Sequence, residues 1–330
     1  MDKLPIYCQF SFYDNFLKEC KKETIGPEKK EQLDLISEMI HTNSKVYIDK
    51  SAAEIKALTH QTKFLYKKVS NGNGVELKPK QFPEQLNDNF FQKVNPHSIF
   101  LINNKQEHEK YQKKYGMWFI AIEDIGNCSI TKKNKKIMLS KLVEKYKEWN
   151  DLLLNYKHPC NSMIISDNYI LNNNDDIEEN LLTILRIILP LELTKNRFHL
   201  TIITSSIPNI KEQYNLLISK LKKIRPYNID LKIVIQTRTK VIEASIHDRY
   251  IITNYLCICS GHGFSVFKEK KIEKNTRLTF DFVSNSETLE EMDTLIKHYR
   301  KIEETIANVG TEIVVMPESE SGKITTRLLK

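Results

Sequence analysis

Residues 241–267 read VIEASIHDRYIITNYLCICSGHGFSVF. The central His-Asp-Arg, at 247–249, is followed by an apolar strand and then by a Ser-Gly-His-Gly turn at 260–263. Because alternate residues of a strand point to opposite faces, His247 and Arg249 share one face. An imidazole beside a fixed cation suits a phosphate site, and it also suits a structural network of ion pairs. Both interpretations stay open on this stretch alone.

Strands alternate with helices on the N-terminal side of this stretch. Strands are predicted at 162–166 (SMIIS), 198–204 (FHLTIIT) and 231–236 (LKIVIQ), with helices at 176–189 and 209–224 between them. This alternation is typical of an α/β domain with a mostly parallel sheet. Open α/β sheets bind ligands at the carboxyl ends of their strands. The residues expected to contact a ligand there are Asp167, Tyr169, Thr204 and Ser205.

The N-terminal part of the chain carries a second α/β pattern. Buried strands are predicted at 98–103 (SIFLIN) and 117–122 (MWFIAI), and a polar helix lies between them at 105–115. This βαβ order favours parallel strands. Ser51 and Glu54 have the spacing of a capping box, which predicts a helix start after Ser51.

The sequence therefore predicts two α/β domains with mostly parallel sheets. We expect the first domain at 1–126 and the second at 161–330, joined by a basic linker and an amphipathic helix at 127–160. The helix is predicted over 137–154 from its apolar spacing. The lysines before it suit either phosphate contact or a solvated linker.

The N-terminal half resembles the PIN-like nuclease arrangement, a short α/β domain with acidic residues at strand ends. That family clusters carboxylates around divalent metal for phosphodiester hydrolysis. The acids that the resemblance would employ are Asp14, Asp49, Glu54 and Asp124. The family carries an aspartate within its first strand, where this chain has Cys8 and Gln9. The simpler interpretation makes Asp49 and Asp124 strand-end and turn residues, and we predict no metal site.

The C-terminal half, read from about 162 to 283, resembles the phospholipase D-like superfamily in its divergent H-D-R branch. The superfamily signature is H-x-K-x4-D-x6-G-S-x-N. Here His247 and Arg249 hold the histidine and lysine positions, and Asn254 and Gly261 hold the aspartate and glycine positions. His262 stands where the signature has serine, and Phe264 where it has asparagine.

The resemblance implies phosphodiester chemistry without a metal or cofactor. His247 would attack phosphorus, Arg249 would hold the non-bridging oxygens and Asn254 would orient them. Family enzymes use two such motifs, whereas this chain shows one, so activity implies a homodimer or another acid. His262 is the nearest candidate for that acid. Ser260 and Gly261 are expected to contact the substrate beside it.

Composition and charge limit the kinds of partner and the cellular location to expect. Lysine and arginine number 50 against 42 acids, for a formal charge of +8, which favours a polyanion such as nucleic acid. A lysine-rich codon bias would give the same excess. Six scattered cysteines and an N-terminus without signal-peptide features predict a cytoplasmic protein with reduced thiols. The longest apolar run, at 181–193, is too short to span a bilayer.

These patterns lead to one main hypothesis and two others. The main one is a phosphodiesterase or nuclease acting on nucleic acid through the H-D-R site, in a prokaryotic defence setting that rests on the resemblance. The alternative is a non-catalytic module of the same fold that binds nucleic acid, anionic lipid or a protein partner. The third hypothesis puts a metal nuclease in the N-terminal half.

Overall fold

The computed structural model describes most of the chain in eleven segments. The described residues are 3–22, 24–42, 44–57, 75–83, 86–127, 135–142, 145–205, 209–235, 249–309, 315–316 and 327–329. The chain divides into two compact units. Unit 1 contains Met1–Lys133 and Phe282–Glu291, and unit 2 contains Asn134–Asp281 and Met292–Lys330.

A five-stranded parallel sheet forms the centre of unit 1. Its strands are Leu4–Cys8 (β1), Ser44–Ile48 (β2), Glu76–Lys78 (β3), Ile99–Ile102 (β4) and Trp118–Ala121 (β5). They lie in the order β3-β2-β1-β4-β5, and each neighbouring pair is parallel. Strands β1, β4 and β5 are buried at every position, as expected for a sheet covered on both faces. The predicted parallel sheet and its βαβ unit are confirmed.

The helices that begin at Ala52 and Lys105 start where the sequence predicts. The helices of unit 1 span Phe10–Cys20 (α1), Pro27–His41 (α2), Ala52–Lys56 (α3), Asp88–Lys93 (α4) and Lys105–Tyr115 (α5), with a 3-10 turn at Ile122–Asn127. The predicted capping box starts α3, because Glu54 N donates to Ser51 Oγ over 3.2 Å and Ser51 N donates to Glu54 Oε2 over 2.8 Å. Gly116, at φ 62°, ends α5 in the left-handed conformation that glycine favours.

Unit 2 contains an eight-stranded mixed sheet. Its strands are Lys135–Leu139 (β6), Ser162–Ser166 (β7), Phe198–Thr204 (β8), Ile229–Ile235 (β9), Arg249–Thr253 (β10), Leu256–Ser260 (β11), Thr276–Phe282 (β14) and Val315–Met316 (β15). They lie in the order β15-β9-β8-β7-β10-β11-β14-β6. A separate ribbon pairs Phe267–Lys268 (β12) with Lys271–Ile272 (β13).

The α/β class predicted for this half is confirmed, but its sheet is mixed. Strands β7, β8 and β9 are parallel to one another, whereas β10 is antiparallel to β7 and to β11. The tight turn at Asn254 and Tyr255 accounts for the antiparallel pair of β10 and β11, since two strands joined by so short a turn must run in opposite directions. Thr253 Oγ1 accepts the N–H groups of Tyr255 and Leu256 over 3.2 and 3.0 Å, which stabilises the turn.

Two helices of unit 2 connect its parallel strands, and others precede or follow them in the chain. The helices are Trp149–Leu153 (α6), Leu182–Ile188 (α7), Ile210–Ile224 (α8) and Ser286–Val309 (α9), whose first residues belong to unit 1. A π-helical turn at Asp176–Leu181 leads into α7, and 3-10 turns occur at Leu154–Tyr156 and Arg327–Leu329.

The helix predicted over 137–154 is wrong in its first part. Lys135–Leu139 is strand β6, which pairs with β14. Ile137 and Leu139 are buried while Met138 between them is 66% exposed, a period of two that belongs to a strand. Apolar residues this close together fit both periods, and the partner strand selects one.

Candidate functional site

One edge of the unit 2 sheet collects the ends of four strands. The carboxyl ends of parallel β7 and β8 meet there. Antiparallel β10 begins at the same edge, since Tyr250 pairs with Ser166, and β11 ends there, since Ser260 pairs with Arg249. The predicted site residues brought to this strand-end edge are Asp167, Tyr169, Thr204, Ser205, Arg249, Ser260, Gly261 and His262.

Asp167 is buried at the end of β7, with only 2% of its surface exposed. Its Oδ1 accepts the N–H of Tyr169 over 2.8 Å, and its Oδ2 accepts the N–H of Phe264 over 2.6 Å. Burial raises the pKa of Asp167, against these two hydrogen bonds and the nearby Arg249 cation, which lower it. We therefore assign Asp167 to holding the 260–263 turn, in place of the predicted contact with substrate.

The Ser-Gly-His-Gly turn is built around this carboxylate. The buried Ser260 Oγ donates to Gly263 O over 2.6 Å, so this hydroxyl is committed to the turn. Gly263 has φ +91°, and a Cβ there would lie 2.8 Å from Asp167 Oδ2, so the position requires glycine. His262 N donates to Thr276 Oγ1 over 3.2 Å, and the His262 side chain is exposed. The turn thus presents one imidazole at the edge.

Arg249 places a cation at the strand-end edge. Its Nη1 donates to Gly261 O over 3.2 Å, and its Cζ lies 5.9 Å from the centroid of the Tyr169 ring. This distance is within the range of a cation–π contact. Arg249 is half-buried, so the carbonyl and the ring hold its guanidinium in place beside Asp167. The predicted phosphate clamp, Tyr169 and Gly261 therefore form one cluster.

Two hydroxyls end the neighbouring strand β8. Ser205 Oγ donates to Asn168 O over 2.5 Å, which ties the loop after β7 to the end of β8. Thr204 is 1% exposed, and its Oγ1 has no hydrogen-bond partner within the part of the chain that the structure describes. Both hydroxyls lie at the edge as predicted. That of Ser205 holds the loop after β7 in place.

Asn254 lies at the opposite edge of the sheet. It is fully buried, its Oδ1 accepts N–H groups from Asn161 and Ser162 over 2.9 and 3.1 Å, and its Nδ2 donates to Asn161 Oδ1 over 3.1 Å. The extended chain between Arg249 and Asn254 spans about 17 Å. We therefore assign Asn254 to the β10–β11 turn, in place of the phosphate-orienting role that its offset from His247 predicts.

His247, the predicted nucleophile, lies outside the described residues together with Asp248. Only its position in the chain relates it to the strand-end edge. His247 stands two positions before Arg249, which is the first residue of β10.

His158 is a buried histidine that no sequence motif indicates. Its Nδ1 donates to Tyr156 O over 2.7 Å, and its Nε2 lies 2.7 Å from Thr253 Oγ1, which donates to it. Burial lowers the pKa of His158 to about 4, although the bond to Tyr156 opposes this shift. No periodic pattern surrounds this histidine, so only the fold reveals its burial at the edge opposite Arg249.

His158 predicts a loss of stability in mild acid. The unfolded chain binds a proton near pH 6.5, whereas folded His158 resists protonation down to about pH 4, so stability is full above pH 6.5 and falls as the pH drops. Between pH 8 and pH 5 this one group should remove about 2 kcal/mol. We expect urea unfolding to show a weaker pH dependence in His158→Asn than in the unchanged protein. Equal dependence in both would contradict the assignment.

Each of the four candidate acids of unit 1 has its own hydrogen-bond or ion-pair partner. Asp14 pairs with Lys18 over 2.7 Å, and Glu54 belongs to the capping box. Asp49 Oδ1 accepts the N–H of Phe10 over 2.8 Å. Asp124 pairs with Lys105 over 2.8 Å. Among the described residues, no three His, Cys, Asp or Glu side chains form a group that could hold a metal ion.

Comparison with known proteins finds matches among solved structures. No protein-family model matches the chain, and no curated protein matches it. The crystal structure of polyphosphate kinase from Porphyromonas gingivalis is similar at a TM-score of 0.29 and 9% identity, over 61% of this chain and 27% of that one. The chain thus spans about a quarter of that protein's length, and a likeness of this degree carries no functional inference.

No helix in the described ranges combines the length and the apolar character that crossing a membrane requires.

Proposed function

We propose that unit 2 is a phospholipase D-like module whose strand-end edge takes a phosphodiester of nucleic acid. The observation that supports this proposal is the position of Arg249, held by Gly261 O and the Tyr169 ring two residues after His247. A guanidinium held in this way matches the paired oxygens of a phosphate. The exposed imidazole of His262 lies on the turn beside it.

The proposed reaction uses two histidines. The His247 imidazole attacks phosphorus, the bond to the leaving oxygen breaks, and a second imidazole gives that oxygen a proton. Water then gives a proton to the second imidazole and attacks the phosphohistidine, whose P–N bond breaks; this releases the phosphate monoester and restores both imidazoles. Arg249 stabilises the charge on the non-bridging oxygens throughout.

His262, or His247 of a second copy of the chain, supplies the second imidazole. We propose, together with this reaction, that the protein forms a homodimer, is cytoplasmic and acts in prokaryotic defence. A net charge of +8 supports nucleic acid as the polyanion.

A non-catalytic role is the second candidate. The position of Asn254 favours it, because a residue buried at the opposite edge cannot orient a phosphate beside Arg249. The same edge would then bind a nucleic-acid backbone, an anionic lipid or a protein partner without cleaving it.

We expect Arg249→Gln to weaken the binding of single-stranded DNA by on the order of 10- to 100-fold, because it removes the fixed phosphate clamp. The measurement is fluorescence anisotropy with a labelled oligonucleotide at fixed salt. Arg197→Gln is the matched control, since Arg197 is an exposed cation just before β8, at the opposite edge, and pairs with Asp230 over 3.4 Å. The control should bind within about twofold of the unchanged protein. Equal losses in both variants would mean that only net charge matters, and would reject the site.

A further inference from the structure

A groove lined by cations lies between two helices of unit 2, apart from the strand-end edge. The π-helical turn with α7 forms one wall, and α8 with the residue that follows it forms the other. The space between them is a groove of about 500 Å³. This volume is within the roughly 300–1,000 Å³ that small-molecule sites occupy.

Four cations and one acid line this interhelix groove. The cations are Arg186, Lys220, Lys223 and Arg225, and the acid is Glu178. Glu178 hydrogen-bonds Lys220 and lies 3.9 Å from Arg186 at the closest oxygen. One acid thus faces four cations, so an excess of three positive charges remains in the groove.

The negative carboxyl ends of two helices compensate part of this excess positive charge. Helices α7 and α8 both end near the groove, at Ile188 and Ile224, and each carboxyl end carries about half a negative charge. About two positive charges are left after this compensation. The groove therefore holds more cations than the carboxyl ends of two helices require.

Arg225 is the fixed cation of the groove. Its Nη2 donates to Arg186 O over 2.6 Å and to Leu189 O over 2.8 Å, and its Nε donates to Pro190 O over 2.8 Å. These bonds join the end of α7 to the end of α8 and hold the guanidinium in place. Because Nη1 also donates to Ile224 O over 2.8 Å, Arg225 contributes mainly its fixed positive charge to the groove.

Lys223 is the cation without a partner among the described residues. It is exposed on α8, one position from Lys222, which is also exposed but does not line the groove. Apolar surface lies beside these charges, mainly from the half-buried Ile224, since Leu182 behind it is only 1% exposed. The groove therefore offers charges for phosphates and a short apolar wall.

We propose that this interhelix groove binds a small molecule that carries a diphosphate and a less polar portion, of the size of a nucleoside diphosphate. Lysine and arginine together recognise phosphate oxygens, and two linked phosphates match an excess of more than one charge. The groove opens among the carboxyl ends of α7 and α8, which lead to the starts of β8 and β9. It is thus a different site from the edge that carries Arg249.

Calorimetric titration with ADP tests the proposal on the full chain. Lys223→Glu should weaken ADP binding at least about tenfold, whereas the matched control Lys222→Glu, with the same charge change on the same helix, should stay within about twofold. Arg249→Gln should also stay within about twofold, which separates this groove from the strand-end edge. Thermal unfolding checks that each variant is folded.

Three results would overturn the proposal. Equal weakening by Lys222→Glu and Lys223→Glu would show a diffuse charge effect. Loss of ADP binding in Arg249→Gln, with Lys223→Glu unaffected, would move the ligand to the strand-end edge. Absence of binding to the unchanged protein at about 10 mM ADP would exclude a diphosphate site in the groove.

Discussion

Replacing His247 with alanine is expected to abolish phosphodiester cleavage, with a loss on the order of 1,000-fold or more. The proposed reaction passes through a bond between this imidazole and phosphorus, and alanine offers no nucleophile. Binding should change far less, because Arg249 and the rest of the strand-end edge remain. The measurement is cleavage of bis(p-nitrophenyl) phosphate and of single-stranded DNA, beside the anisotropy binding assay.

Chelation and a second histidine variant complete this test. Cleavage should survive EDTA, since the proposed reaction uses no metal. His97→Ala serves as the matched control, because His97 lies in unit 1, and it should keep full activity. Loss of cleavage with EDTA, together with unchanged cleavage in His247→Ala, would transfer the activity to the acids of unit 1.

Solution mass decides which second imidazole takes part. A dimer allows His247 from two copies to act together, whereas a monomer requires His262. A monomer whose His262→Ala variant cleaves at the unchanged rate would contradict the two-histidine reaction. Intact DNA binding with no cleavage of any phosphodiester would establish the non-catalytic module.

Replacing Asp167 with alanine is expected to destabilise the protein by about 3 kcal/mol. The substitution removes the acceptor of two backbone N–H groups, that of the half-buried Tyr169 and that of the buried Phe264. A buried donor without a partner costs about 1–3 kcal/mol. Urea unfolding at pH 7 measures the change, and Asp167→Asn should lose less because one oxygen remains.

Glu273→Ala is the control for this prediction. Glu273 is an exposed acid of the same unit, which pairs with Lys141 over 3.6 Å, so its loss should cost less than about 1 kcal/mol. A cost under about 1 kcal/mol for Asp167→Ala as well would mean that water replaces the carboxylate. The assignment of Asp167 as the support of the 260–263 turn would then fail.

Local patterns were sufficient for much of unit 1. The runs SIFLIN and MWFIAI contain the buried strands β4 and β5, and the helix between them spans Lys105–Tyr115. The capping box at Ser51 and Glu54 has both of its hydrogen bonds. These features depend on residues within a few positions of one another, so their spacing alone specifies them.

Contacts between distant segments explain the features that the sequence patterns predicted wrongly or missed. Residues 135–139 form a strand because β14 offers a partner more than a hundred positions away. The burial of Asp167 depends on Phe264, and that of His158 depends on Thr253. No local period contains these pairings, so composition and spacing could not reveal them.

The sequence by itself determined the α/β class, the positive charge, and the short offset between His247 and Arg249 that suggests phosphate chemistry. Tertiary structure alone decided which signature positions meet. The β10–β11 hairpin returns Gly261 to Arg249 and leaves Asn254 at the far edge, since a reversed strand brings distant residues together and separates near ones. The same packing buried Asp167 beneath the turn that carries His262.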